Sequence, residues 1–182
     1  MKSDIIAIQE TWLENDPDYS IPNFHEFYVH GRSKGIALFT KIRPTLVEKS
    51  QTTNCSIIKA YFPEFDLINI YRFSSDTDML GFTENVVSFL DISRTQVIVG
   101  DMNINLLKNP KNHFTDSLAR RGFQQMVTRP THDLGGLIDH VYFYSPRTDA
   151  LCTLHKYHTV FWSDHKCPSF PLHRYELRLR KE

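Results

Sequence analysis

One short segment limits what this chain can fold into, because a run of β-forming apolar residues stops there at acidic and amide side chains. Gln96 to Val99 predicts a buried strand that ends at Gly100, and Asp101 and Asn103 follow at alternate positions. Residues two apart in extended backbone share a face. A carboxylate is costly inside a sheet, but at the carboxyl end of a strand it can project into a cleft. The segment therefore predicts either a ligand site or a loop whose side chains bond their own backbone.

The composition is that of an ordinary globular protein. The chain has 182 residues, 41% of them hydrophobic, and 21 basic residues balance 21 acidic ones. This length favours a single domain, residues 1–182, with a sizeable core. The formal net charge of zero does not imply a strong, non-specific attraction to polyanions, so any nucleic-acid binding requires local basic patches.

The cysteines favour a reducing compartment. Cys55, Cys152 and Cys167 are odd in number and form no Cys-x-x-Cys pair, which argues against a disulfide framework or a zinc–thiolate site. No segment predicts a membrane span, and the first residues lack the hydrophobic region of a signal peptide. The sequence therefore predicts a nuclear or cytoplasmic protein that is not secreted and does not enter a membrane.

Strand patterns far outnumber helix patterns along the chain. The expected strands are a buried first strand at 4–9, then 35–40, 56–62, 66–71, 96–99, a short strand within 125–132, 137–143 and 157–162. Residues 63–65 join two of them as an antiparallel hairpin. Apolar residues at helical spacing predict helices over 79–90 and 114–121, and Gly122 is expected to end the second. The basic tail, 168–182, alternates at Tyr175, Leu177 and Leu179. These patterns predict an α/β (α+β) fold with an at least partly antiparallel sheet.

Several predicted strands end at, or contain, polar side chains. These are Glu10, Tyr71 with Arg72, Asp101 with Asn103, Asp139, and Asp164 with His165. Each residue alone is equally a turn, cap or solvated surface residue, except that Asp139 lies inside an apolar run and therefore requires a partner. Carboxylates gathered at one edge repel one another unless a cation lies among them. Oxygen ligands without thiolates suit Mg²⁺ or Mn²⁺. Such a metal beside Asp, Asn and His indicates hydrolysis of a phosphate ester.

The order of these motifs resembles the endonuclease/exonuclease/phosphatase superfamily. The resemblance rests on Gln9-Glu10-Thr11, Gly100-Asp101-Met102-Asn103 and Ser163-Asp164-His165. Within that superfamily, the endonuclease domain of non-LTR retrotransposons is the most similar, through residues 4–13, 69–72, 128–131 and 137–140. Each motif alone is weak, but five motifs in this order are specific, and together they cover residues 4–165.

The resemblance implies a DNase I-like sandwich of two β-sheets flanked by helices, with the active site at one edge. Glu10 and Asp164 would then be ligands of Mg²⁺ or Mn²⁺. The resemblance also implies that the chain starts after a strand that carries an active-site asparagine and after a helix. We therefore expect an N-terminally truncated domain with an exposed sheet edge and a slower reaction.

The resemblance assigns further roles by position. Asp101 would orient or deprotonate the attacking water, and Asn103 would bond the phosphate or that water. His165 would contact the scissile phosphate or transfer a proton, while Asp139 would hold its other ring nitrogen. Tyr71 would donate to the phosphate. Arg72 and Arg129 would bind the substrate backbone.

Three functions follow as alternatives. The first is a divalent-metal-dependent phosphodiester hydrolase, a DNA-nicking endonuclease domain of retrotransposon origin whose partners are DNA and a reverse transcriptase or other retroelement protein. The second is a catalytically weak or inactive remnant that binds nucleic acid or a protein. The third is a phosphatase of the same superfamily, against which residues 128–131 and 138–140 argue.

Overall fold

Thirteen strands and two helices make up the described part of the chain, which comprises residues 3–17, 20–147, 150–152, 156–159 and 163–174 of a computed structural model. In chain order the elements are β1 (Ile5–Gln9), β2 (His25–Val29), β3 (Ile36–Thr40), β4 (Leu46–Gln51), β5 (Cys55–Tyr61), β6 (Asp66–Arg72), α1 (Met79–Val87), β7 (Gln96–Asp101), α2 (His113–Arg120), β8 (Gln124–Gln125), β9 (Asp139–Tyr144), β10 (Ala150–Cys152), β11 (Lys156–Thr159), β12 (Lys166–Ser169) and β13 (Leu172–Arg174).

Two sheets carry the architecture. The larger has the strand order β4-β5-β6-β7-β9-β8, and the smaller has the order β1-β3-β2. Neighbouring strands are antiparallel except β6 and β7, which are parallel because α1 returns the chain to the same end of the sheet. Two short antiparallel pairs, β10 with β13 and β11 with β12, follow in the chain. The result is the expected mixed α/β fold, a large central β-sheet with few helices.

The core has two main layers because side chains alternate along each strand. One face of the large sheet packs on the small sheet, through residues such as Ile58, Leu67 and Val97 on one side and Ile36 and Leu38 on the other. The opposite face packs on both helices, and these contacts join Ile57, Ile68 and Ile98 to Phe82 and Phe114. The inner strands of the large sheet, β5, β6, β7 and β9, are therefore buried on both faces, which explains their nearly continuous hydrophobic runs.

The helix limits follow local capping. Asn112 caps α2 by accepting a hydrogen bond from the backbone N–H of Thr115. The helix begins at His113, one residue before its predicted start. Gly122 lies just beyond its end with a φ of 86°, as expected for an αL cap. Helix α1 ends at Val87, three residues earlier than predicted. Among the described residues, no helix is long and apolar enough to cross a lipid bilayer.

Some strand predictions are wrong, each for a local reason. β1 is not buried, because it lies at the edge of the small sheet and leaves Ile8 40% exposed. β4 was not expected, because it is an edge strand with a largely exposed and polar sequence. Within 125–132 only Gln125 is in a strand, and β9 starts at Asp139 rather than at residue 137. Residues 160–162 and 175–182, including the predicted alternation in the tail, lie outside the described residues.

A buried amide joins the two sheets. Asn69 lies on β6 of the large sheet and is fully buried. Its side-chain nitrogen donates to the carbonyl of Ala37 at 2.9 Å and to that of Ile8 at 3.3 Å, on the two strands β3 and β1. Its side-chain oxygen accepts from the amide of Gln9. Asn69 therefore fixes the end of β1, and with it Glu10, against the large sheet.

Replacing Asn69 with alanine is expected to lower the free energy of unfolding by about 1–3 kcal/mol, because buried carbonyls lose their donor. Urea denaturation followed by circular dichroism measures this change. Asn109→Ala is the matched control, since Asn109 is exposed in a loop. A loss in the Asn69 variant no larger than that in the control would contradict the role of the buried amide.

Candidate active site

Three neighbouring strands bring polar side chains to one place. Asp101 ends β7, and its backbone lies in register with Tyr71 of β6 on one side and with Asp139 of β9 on the other. Gly100 precedes it with a φ of 142°, and a Cβ at that position would lie 1.8 Å from the carbonyl oxygen of Ile70. Only glycine permits this close approach of the strands. The geometry of the backbone therefore sets the position of the three polar residues.

Asn103 folds back onto the end of the strand. Its backbone N–H donates to Asp101 Oδ1 at 2.9 Å, and its side-chain amide donates to the carbonyl of Arg72 at 2.7 Å. Its φ of 48° is a left-handed conformation that asparagine tolerates. The loop therefore bonds its own backbone and holds Asp101 at the strand end, whereas a ligand site at this segment stays a prediction.

Asp139 has the partner that its burial requires. Nδ1 of His165 lies 3.0 Å and 2.9 Å from the two carboxylate oxygens of Asp139. This hydrogen bond, together with the negative charge of Asp139, raises the pKa of His165 to about 9. The hydroxyl of the buried Thr131 accepts the backbone N–H groups of Ile138 and Asp139. Thr131 was not predicted as a site residue, although it belongs to a motif that carries the resemblance.

Burial and like charge act on Asp101. Asp101 is 5% exposed, and desolvation together with the charge of Asp139 raises the pKa of its carboxyl group to about 7. Glu10 adds to this effect, while the N–H of Asn103 and the charge of His165 oppose it. Asp101 is consequently a carboxyl group that can exchange a proton near neutral pH.

Glu10 reaches the same site from the small sheet. It follows β1 with a φ of 52°, is exposed, and accepts a hydrogen bond from the hydroxyl of Tyr71. Burial, this hydrogen bond and the charge of Glu10 raise the pKa of Tyr71 above its ordinary value. Tyr71 therefore keeps its proton and remains a hydrogen-bond donor.

The family follows from the sequence as a whole. The model of the Endonuclease/Exonuclease/phosphatase family matches residues 1–165. The chain belongs to this family. No curated protein sequence matches the chain significantly.

Several solved structures share the fold of this chain. An AP endonuclease from Archaeoglobus fulgidus aligns with a TM-score of 0.67 and 17% identity, over 93% of this chain and 88% of that one. The cytolethal distending toxin of Actinobacillus actinomycetemcomitans aligns with a TM-score of 0.66 and 13% identity, over 92% and 85%. The endonuclease domain of TRAS1, a telomere-specific non-LTR retrotransposon, gives 0.62 and 13%, over 92% and 84%. These similarities confirm the DNase I-like fold.

Two of the predicted site residues lie apart from the cluster of Asp101, Asp139 and His165. The guanidinium of Arg72 is buried, where it bonds the Asp76 carboxylate at 2.8 Å and the Asp76 carbonyl at 2.7 Å and approaches the carbonyl of Asn103 at 3.4 Å. These contacts support the loop that holds Asn103, and substrate binding by Arg72 stays a prediction. Arg129 is exposed on the loop before Thr131. In the described part of the chain no hydrogen bond or ion pair links it to the site.

The donor set of this family member fits a hard divalent cation. Within the described residues, Asp101, Asp139 and His165 form one group of adjacent ligand atoms, and His132, Asp164 and His165 form another. Glu10 belongs to neither group, but its charge acts on Asp101. The first group offers two carboxylates and one imidazole, the second offers one carboxylate and two imidazoles, and sulfur is absent from both. The carboxylate-rich first group suits Mg²⁺ or Mn²⁺. His132 was not predicted, and its only signal in the sequence is its place directly after Thr131.

Replacing Asp101 with asparagine is expected to stabilise the metal-free protein at alkaline pH. Because the folded-state pKa of Asp101 is raised from 3.8 to about 7, its contribution to stability is fully present below pH 3.8 and is lost as the pH rises through 7. At pH 8 the variant should melt about 2–4 °C higher than the wild type, as about 1 kcal/mol produces in a protein of this size.

Thermal melting in the presence of a chelator, measured from pH 3.5 to 8.5, checks this expectation. The difference between the two proteins should vanish towards the acidic end. A constant difference across the range would show that ionisation of Asp101 is not its cause.

Proposed function

We propose that this chain is a divalent-metal-dependent phosphodiesterase and that its substrate is DNA, which it nicks. The carrying observation is the juxtaposition of Asp101 with the Asp139–His165 pair at the ends of two paired strands. A base with a pKa near 7 next to a cationic imidazole is suited to activating water beside a phosphate. Two of the similar structures are an AP endonuclease and the endonuclease domain of a non-LTR retrotransposon, and this similarity supports the choice of substrate.

Asp101 would take the proton of the attacking water. Its pKa of about 7 lies near the working pH, where a general base is most effective. The N–H of Asn103 fixes Oδ1 of the carboxylate at 2.9 Å, whereas Oδ2 receives only a long contact of 3.5 Å from the Asn103 side-chain amide and is the oxygen that we propose for the water. A divalent cation at Glu10 and Asp164 would neutralise charge on the non-bridging phosphate oxygens.

His165 would bind the scissile phosphate through its outer nitrogen. Because Nδ1 is bonded to Asp139, Nε2 is directed away from that carboxylate, and with a pKa of about 9 the ring is cationic at neutral pH. A cationic donor beside a phosphate oxygen stabilises the charge that develops in the transition state. In the free protein the hydroxyl of Tyr71 donates to Glu10 and the side-chain amide of Asn103 donates to the carbonyl of Arg72, so bonds from these two residues to the phosphate stay predictions of the sequence.

We also propose that the chain is of retrotransposon origin. The order of motifs in the sequence favours descent from a non-LTR retrotransposon, and a structure of that class is among the similar ones. A reverse transcriptase or other retroelement protein as partner stays a prediction of the sequence alone. Arg129, which is exposed, is the basic residue that we propose for contact with the DNA backbone.

Asp101→Ala and His165→Ala should each lower the rate of plasmid nicking by about 10²-fold or more, because each removes a group that transfers or stabilises charge. The assay follows conversion of supercoiled to open-circular plasmid with Mg²⁺ or Mn²⁺ and with a chelator. His113→Ala is the matched control, since His113 is exposed on α2. Wild-type rates in both site variants would contradict the proposal.

Folded wild-type protein that fails to nick DNA would instead favour the remnant that only binds. Release of phosphate from a phosphomonoester without nicking would favour the phosphatase. Circular dichroism of the same samples separates loss of activity from loss of fold.

Asp139→Asn should reduce nicking less than His165→Ala does. The asparagine oxygen can still accept the Nδ1–H of His165, so the variant disturbs the charge and orientation of the imidazole without removing it. The pH profile should also change, because the pKa of His165 falls when the negative charge is lost. An equal or greater loss in Asp139→Asn would contradict the assigned role.

A further inference from the structure

His132 lies against the site but outside the proposed chemistry. Its side chain is 17% exposed, and its ring meets that of His165 edge to face, with centroids 4.8 Å apart. The backbones of the two residues form a β-bridge, and Asp133 donates its N–H to the carbonyl of Asp164 at 2.9 Å. The segment that carries His132 therefore holds the segment that carries Asp164 and His165.

The hydrogen bonds of His132 determine its tautomer. The backbone N–H of Leu134 lies 3.0 Å from Nδ1, and because that N–H can only donate, Nδ1 must be the unprotonated nitrogen. The neutral ring therefore carries its proton on Nε2. Nε2 lies 3.2 Å from Oδ2 of Asp164, which accepts this proton in a hydrogen bond.

This tautomer argues against His132 as a metal ligand. A neutral imidazole coordinates through a nitrogen lone pair, and the only lone pair of His132 already accepts the N–H of Leu134. The group formed by His132, Asp164 and His165 therefore does not offer two imidazole ligands to one cation. His132 acts on the site through Asp164 instead.

We propose that His132 is a positioning residue that holds the Asp164 carboxylate in the orientation needed to bind the cation. This inference rests on the proposed function, in which Asp164 is a metal ligand. The Asp164 side chain is 66% exposed, so an unrestrained carboxylate there would sample several rotamers. The bond to Oδ2 also leaves Oδ1 4.0 Å from Nε2 of His165, so that nitrogen remains open to a phosphate.

Two nearly isosteric substitutions separate the two hydrogen bonds of the ring. His132→Gln places an amide N–H near the position of Nε2, so it can restore the donor to Asp164 while it loses the acceptor for Leu134. His132→Asn places its oxygen near the position of Nδ1, so it keeps the acceptor for Leu134 while it loses the donor to Asp164. The positioning role predicts rescue by Gln and not by Asn.

The affinity for Mn²⁺, measured from the electron paramagnetic resonance signal of the free ion, is the readout. His132→Asn should weaken it about tenfold, as loss of a ligand's supporting hydrogen bond does elsewhere, and His132→Gln should retain most of it. Asp164→Asn gives the loss of Mn²⁺ affinity that follows from changing the ligand itself. A wild-type affinity in that variant would overturn the inference. An equal loss, or no loss, in the Gln and Asn variants would overturn it as well.

The tautomer is tested without any metal. Long-range ¹H–¹⁵N correlation spectra of the ¹⁵N-labelled protein should show His132 protonated at Nε2, and protonation at Nδ1 would overturn the inference. Plasmid nicking by the wild type tests the proposed function separately. If the wild type does not nick DNA but the variants show the expected Mn²⁺ affinities, the proposed nuclease function is refuted and the role of His132 is kept. If the wild type nicks DNA but both variants bind Mn²⁺ as the wild type does, only the role of His132 is refuted.

Discussion

Two acidic residues in register across paired strands are the constraint on which the rest of the site depends. Asp101 and Asp139 are both buried where β7 meets β9, so the fold holds two like charges together in a place that water reaches poorly. The imidazole of His165 compensates one of them. Burial, and after it the charge of Asp139, leave Asp101 with a raised pKa, and this arrangement costs stability in exchange for a reactive group.

The polar groups around these two acids hold them in place through successive hydrogen bonds. The hydroxyl of Thr131 binds the backbone beneath Asp139, and the N–H of Asn103 binds Asp101. Arg72 and Asp76 lie below, where their buried ion pair holds the loop that carries Asn103. Each layer fixes the rotamer of the next, which is what precise chemistry demands of a site. The site therefore depends on residues that never meet a substrate.

The sequence predicted most of this arrangement because the strand ends coincide with its polar residues. The hydrophobic runs located β3, β5, β6, β7 and both helices, and the demand of Asp139 for a partner was met by His165. It did not predict β4, since an edge strand with a polar sequence has no periodic signal. Nor did it predict that His132 lies beside the site or that the side chain of Arg72 is buried. Both depend on contacts between segments distant along the chain, which neither periodicity nor spacing contains.

The hydrogen bond from Tyr71 to Glu10 crosses from one sheet to the other. Glu10 directly follows β1 of the small sheet, while Asp101 and Asp139 end strands of the large one. Any sliding of the sheets past each other would therefore change the separation of these carboxylates. Asn69, which bonds both layers, opposes that shear. The position of Glu10 relative to the two aspartates is thus set by the alignment of two β-layers.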